Sequence, residues 1–130
     1  MTNSIDYTMV PCWNGIRTTV GKPGQIVLYG DLRQFEDLPS TGHGRTTTIT
    51  IARRQNPGGG LLRIKSTIAR AVVTRDKCEE QIALLQRAIA VYDNQRVPDY
   101  GRMWKFPSKI ASKRDWEDVR RFVELQEGCT

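Results

Sequence analysis

Arg45-Thr-Thr-Thr-Ile-Thr-Ile-Ala-Arg-Arg54, then Gln55-Asn-Pro-Gly-Gly-Gly60, then Leu61-Leu-Arg-Ile-Lys-Ser-Thr-Ile-Ala-Arg-Ala-Val-Val73, is the stretch that decides the fold. Its first part is dense in β-branched residues, which suit a pleated surface and lose rotamer freedom in a helix. The Gly-rich middle reads as a turn, so residues 45–73 predict a long antiparallel hairpin. Side chains alternate along a strand, which sends Ile49 and Ile51 to one face and Thr48, Thr50, Ala52 and Arg54 to the other. Along the second strand the same alternation groups Leu62, Ile64, Ile68 and Val72 on the apolar side. Arg63, Lys65 and Thr67 join the threonines.

Toward the N-terminus, Ile5-Asp-Tyr-Thr-Met-Val10 and Ile16-Arg-Thr-Thr-Val20 flank Pro11-Cys-Trp-Asn-Gly15. Asn14-Gly15 tolerates the positive φ angles of a tight hairpin turn, so a second, N-terminal hairpin is expected. Gln25-Ile-Val-Leu-Tyr29 is a short apolar strand ended by Gly30-Asp31, and residues 32–43 read as a polar loop.

Toward the C-terminus the period changes from two to about 3.6. Thr74 reads as an N-cap, and Cys78, Ile82, Leu85, Ile89 and Tyr92 recur at helical spacing, widened by Leu84, Ala88 and Val91. Residues 94–111, with Pro98, Gly101 and Pro107, form a connector. It carries Tyr100, Met103, Trp104 and Phe106, too apolar a set to float free, and should pack onto the domain or onto another subunit. Ser112-Lys-Arg-Asp115 is a capping box that opens a last helix through Trp116, Val119, Phe122, Val123 and Leu125, stopped by Gly128. The expected fold class is α+β: an antiparallel sheet with an N-terminal hairpin, then two helices, in a single domain spanning 1–130.

The chain has 130 residues and a net charge of +6, and the charge is unevenly spread. Residues 38–75 hold Arg45, Arg53, Arg54, Arg63, Lys65, Arg70 and Arg75 with no acid, whereas the segments on either side are close to neutral. A basic region without internal neutralisation repels itself, so an anionic partner is a physical reason for it. No apolar run approaches the ~18–20 residues of a membrane span, and residues 1–10 lack the basic and apolar regions of a secretory signal. Action in the compartment of synthesis, with no membrane partner, is expected.

Catalytic chemistry is hard to assemble from these residues. A nucleophile needs an adjacent base, and His43 is the one histidine. Cys12, Cys78 and Cys129 are widely spaced, cannot with His43 form a clustered zinc site, and read as buried or idle thiols. A cross-link between subunits is the sharper alternative, most plausible at Cys129. Asp115, Glu117 and Asp118 occupy a first helical turn, where the helix dipole already favours acids. Asn56-Pro-Gly-Gly-Gly60 lacks the Gly-Lys-Ser/Thr ending of a phosphate loop. Leu38-Pro-Ser-Thr-Gly42 matches a sortase signal in letters only. No enzyme activity, cofactor, metal or small-molecule substrate is expected.

A sheet with one helix-covered face and one open face of Thr, Arg and Lys suits contacts to phosphate and sugar. At this point the order of elements resembles the coat proteins of single-stranded RNA bacteriophages, the levivirus family. The matching stretches are the Asn14-Gly15 hairpin, the segment around Tyr29, the strands of residues 45–54 and 61–73, and the helix after Thr74. The resemblance implies a homodimer whose sheets join edge to edge, each helix pair lying across the partner's sheet. Ninety such dimers would form a typical shell, a large homo-oligomer found in the virion and, before assembly, in the host cytoplasm. The open face would bind genomic RNA, including a hairpin, through Thr48, Thr50, Arg54, Arg63, Lys65 and Thr67. Where that family usually has a further strand pair, Val73 here runs almost directly into the helix.

Two other classes fit the same residues. One is a small phage-encoded nucleic-acid-binding regulator or inhibitor that forms no shell. The other is an interaction module in which the aromatic connector binds a protein and the basic hairpin is incidental.

Overall fold

The computed structural model describes residues 26–30, 45–54 and 64–128. The expected N-terminal hairpin, the 32–43 loop, the Gly-rich turn, Arg63, Cys12, His43 and Cys129 lie outside the described residues. Within them the chain is α+β: strands β1 (Ile26–Tyr29), β2 (Thr46–Arg54) and β3 (Ile64–Thr74), helix α1 (Cys78–Tyr92), strand β4 (Lys109–Ile110) and helix α2 (Lys113–Glu127). The sheet order is β1-β2-β3-β4. The first three strands form an antiparallel meander.

The sheet is mixed, not purely antiparallel, because β4 joins β3 in parallel with Arg70 opposite Lys109 and Ala71 opposite Ile110. α1 and the connector carry the chain back across the domain, so it re-enters the sheet in the direction of β3. The Ser108 carbonyl accepts a hydrogen bond from the Arg70 amide at 3.0 Å.

Two register shifts correct the face assignment expected for β3. Ile51 lies opposite Ala69 but Ala52 lies opposite Thr67, which leaves Ile68 as an extra residue; Arg53 pairs with Ser66 and Arg54 with Ile64, leaving Lys65 extra. A bulge of this kind resets the two-residue phase of a strand. Ala69, Ala71 and Val73 therefore share the core face with Ile49 and Ile51, while Val72, opposite Thr48, sits on the threonine side. Thr67 is also on that side, and Ile68 packs half-buried against the core.

One core joins the sheet to both helices. Ile26, Leu28, Ile49, Ile51, Val73 and Ile110 meet Cys78, Ile82, Leu84 and Leu85 of α1 and Val119, Phe122 and Val123 of α2. Each large apolar side chain so buried contributes roughly 1.5–3 kcal/mol. Alanines at 69 and 71 let the helix layer approach the sheet closely. The helix pair packs against the sheet of its own chain.

Both helices follow the apolar spacing, with one change at a boundary. Thr74 is not the cap of α1 but the last residue of β3, opposite Thr46, and a turn at 75–77 intervenes. Lys77 holds the cap position without a side-chain bond, and Glu79 and Glu80 place negative charge in the first turn. At α2 the capping box forms as its spacing predicts. Ser112 Oγ accepts from the Asp115 amide at 3.1 Å, and Asp115 Oδ2 accepts from the amides of Ser112 and Ala111, both at 3.0 Å.

The aromatic connector packs onto this domain. Trp104 stacks on Phe122 at 4.1 Å between ring centroids, and Phe106 lies 4.7 Å from Trp104 and 4.8 Å from Tyr92. Gln95 fixes the Trp104 backbone from both sides: Gln95 Nε2 donates to its carbonyl at 2.9 Å, and its amide donates to Gln95 Oε1 at 2.8 Å.

Candidate nucleic-acid interface

The four described strands contain no acidic residue, so every formal charge on them is positive. Register places Tyr29, Thr50, Arg70 and Lys109 in one row across all four strands. This row lies on the face opposite the helices, because its neighbours Leu28, Ile51, Ala71 and Ile110 fill the core. Thr46, Thr48, Thr67, Arg70 and Lys109 are exposed there, and Thr50 and Val72 are half-buried.

That face is not uniformly open. Val27, Tyr29 and Ala52 form a second buried cluster on it, with Tyr29 3 % exposed. Burial pushes the Tyr29 phenol above its ordinary value, against the opposing effects of a hydrogen bond with Thr50 and the nearby Arg70 charge. Tyr29 therefore stays neutral and anchors the β1 end of the row, while the hydroxyls and cations further along meet solvent.

Of the residues expected to contact RNA, Thr48, Thr50 and Thr67 come together on this face. Arg54 ends β2 opposite Ile64, and Lys65 falls at the second register shift of β3. Arg70 and Lys109 were not among the expected contacts. Arg70 belongs to the acid-free region, but its face depends on the bulge at Ile68. Lys109 gives no strand signal in a segment of two residues. The buried cluster did carry one, since an apolar run such as Ile26-Val-Leu-Tyr29 marks a strand covered on both faces.

Several other basic residues are paired elsewhere. Arg53, on the helix side of β2 with Ile51, grips Asp93 at the end of α1 with two bonds of 2.7 and 3.0 Å. The hydrogen bond with Arg53 holds the Asp93 carboxyl below its ordinary value despite partial burial. On the helix layer, Arg87 pairs with Glu127, Arg120 with Glu80 and Arg121 with Asp99. Among the described residues no ion pair joins a carboxylate to Arg70 or Lys109.

Cys78 is buried, its thiol donating to the Arg75 carbonyl at 3.4 Å, and burial raises its pKa. Among the described residues no three His, Cys, Asp or Glu side chains cluster as metal ligands. None of the helices described is long and apolar enough to cross a membrane. A cleft of about 520 Å³ between the starts of α1 and α2 is lined by Leu84, Trp116 and charged side chains of both signs. No family model, curated protein or solved structure matches this chain.

Proposed function

We propose that this chain binds RNA on the sheet face turned away from its helices, as a coat protein of the kind found in single-stranded RNA bacteriophages. The observation that carries the reading is the row Thr50–Arg70–Lys109 on four acid-free strands, with the helix layer wholly on the other side. Hydroxyls and exposed cations on a sheet offer phosphate and sugar contacts without fixing a base sequence. Such an inner face suits a shell that encloses a long RNA. In this reading the chain dimerises edge to edge and assembles into a closed shell, acting in the virion and, before assembly, in the host cytoplasm. Catalysis, cofactors, membranes and small-molecule substrates have no part in it.

A second reading has its own support. The acid-free strands with a helix layer on one side would equally serve a small nucleic-acid-binding regulator that forms no shell. Sedimentation and electron microscopy of the expressed protein separate the two. The coat reading expects closed particles containing host RNA, with less RNA in particles of an Arg63→Glu, Lys65→Glu variant. A monodisperse monomer or dimer that still binds RNA would replace it with the regulator.

A further inference from the structure

The connector carries a feature that packing does not require. Asp99 and Arg102 form an isolated antiparallel bridge, each amide donating to the other's carbonyl at 2.9 Å. The two residues between them, Tyr100 and Gly101, have φ of 51° and 78°. Paired positive φ values are those of a type I′ hairpin turn, whose first central position is normally Asn, Asp or Gly. A bulky aromatic there is a backbone outlier, and such outliers point toward function when the surroundings hold them in place.

Those surroundings are visible. Arg121 of α2 donates to both oxygens of Asp99 at 2.6 Å, and its guanidinium lies 5.5 Å from the Tyr100 ring centroid. A cation thus backs the ring, yet Tyr100 remains 89 % exposed. The result is a rigid tip that holds a phenol ring out toward solvent.

Its neighbourhood selects the class of partner. Arg96, Arg102, Lys105 and Lys109 are all exposed, whereas Asp99, the one acid between residues 94 and 109, is engaged by Arg121. Arg102, Lys105 and Lys109 lead from the tip to the edge of the sheet, where Lys109 adjoins Arg70. The chain from tip to edge spans at most about 32 Å. An aromatic ring along a basic track is how single-stranded nucleic acids are held: phosphates follow the cations and an unpaired base stacks on the ring.

We infer that Tyr100 is a stacking platform for an unpaired base of an RNA strand that runs from the sheet face along the 102–109 connector. The inference rests on the proposed RNA binding and extends its footprint beyond the sheet. The platform adds affinity for single strands without adding charge, so its loss lowers affinity and leaves the salt dependence unchanged.

The test is fluorescence anisotropy with a labelled purine-rich 20-nucleotide RNA, single-stranded and as a duplex, across a salt series. Tyr100→Ala weakens single-strand binding by about ten-fold, with the salt slope and duplex affinity unchanged, and Tyr100→Trp restores it. Circular dichroism and sedimentation matching those of the parent protein exclude misfolding. Unchanged single-strand affinity of Tyr100→Ala, while Arg70→Ala with Lys109→Ala weakens it, overturns the platform and leaves the sheet face standing. Altered sedimentation of Tyr100→Ala with unchanged RNA affinity also overturns it, in favour of a protein contact. A loss confined to Tyr100→Ala, with the double variant binding like the parent, upholds the platform and sinks the sheet face.

Discussion

Gln126 offers the most quantitative test of how the connector is held. It is 6 % exposed, a polar side chain in a largely apolar layer. Its Oε1 accepts from the amides of Arg96 and Val97 at 2.7 and 3.3 Å, and its Nε2 donates to the Val97 carbonyl at 2.6 Å. Gln126→Leu keeps most of the volume and strips all three bonds. Each has a net worth of about 1 kcal/mol, and a fully buried group left unpaired costs about 1–3 kcal/mol. Arg96 and Val97 are not buried, so water restores part of the loss, and the expected destabilisation is about 3 kcal/mol. Unfolding entropy for a chain of this length is roughly 0.27 kcal/mol/K, which converts that loss to a Tm about 10 °C lower. Urea unfolding followed by far-UV circular dichroism should show a lower midpoint with an unchanged m value. A Gln126→Leu protein within about 0.5 kcal/mol of the parent would refute the anchoring role of these bonds.

Three further outcomes follow from local geometry. At Gly30 an added Cβ would lie 2.6 Å from Ile49 Cδ1 and 3.0 Å from the Thr48 carbonyl oxygen. Gly30→Ala should therefore cost about 1–3 kcal/mol by calorimetry, and a neutral result would contradict that close approach. In a Cys12→Ser, Cys129→Ser protein, Cys78 should resist alkylation at neutral pH until the chain unfolds; labelling at the rate of a free thiol would contradict its burial. Asp93, Asp115 and Glu127 have pKa values lowered by the Arg53 hydrogen bond, by the Ala111 and Ser112 amides, and by the Arg87 hydrogen bond, respectively. The stability they contribute is complete above the ordinary values of 3.8 and 4.5 and is lost as pH falls through the depressed folded values. The urea midpoint should accordingly decline below about pH 5, and a midpoint that rises on acidification would contradict these pairings.

Much of the architecture was legible because local chemistry and tertiary packing agree. The β-branched run Thr46-Thr-Thr-Ile-Thr-Ile51 forms a strand, and the stripe from Cys78 through Ile82 and Leu85 forms a helix. Ser112 and Asp115 form their box because both partners lie within four residues. What failed depended on distant parts of the chain. Alternation within β3 puts Val72 on the wrong face, because the extra residue at Ile68 is set by pairing with β2. Thr74 is a good N-cap residue by type, but its pairing with Thr46 keeps it in the strand. Lys109 and Ile110 become a strand only because α1 and the aromatic connector deliver them to the free side of β3. The same limit applies to the site: Thr48, Thr50 and Thr67 were reachable by alternation, whereas the row through Arg70 and Lys109 needed the register.

The central claim is that RNA lies on the sheet face through Arg70 and Lys109, and a salt titration addresses it most directly. Single-stranded RNA binding should weaken with rising salt in proportion to the phosphates neutralised. Arg70→Ala with Lys109→Ala should reduce the slope of log K against log salt by about 1.4 and lower the affinity at every salt concentration below that of the parent. A slope and affinity equal to those of the parent would place the RNA elsewhere and contradict the account.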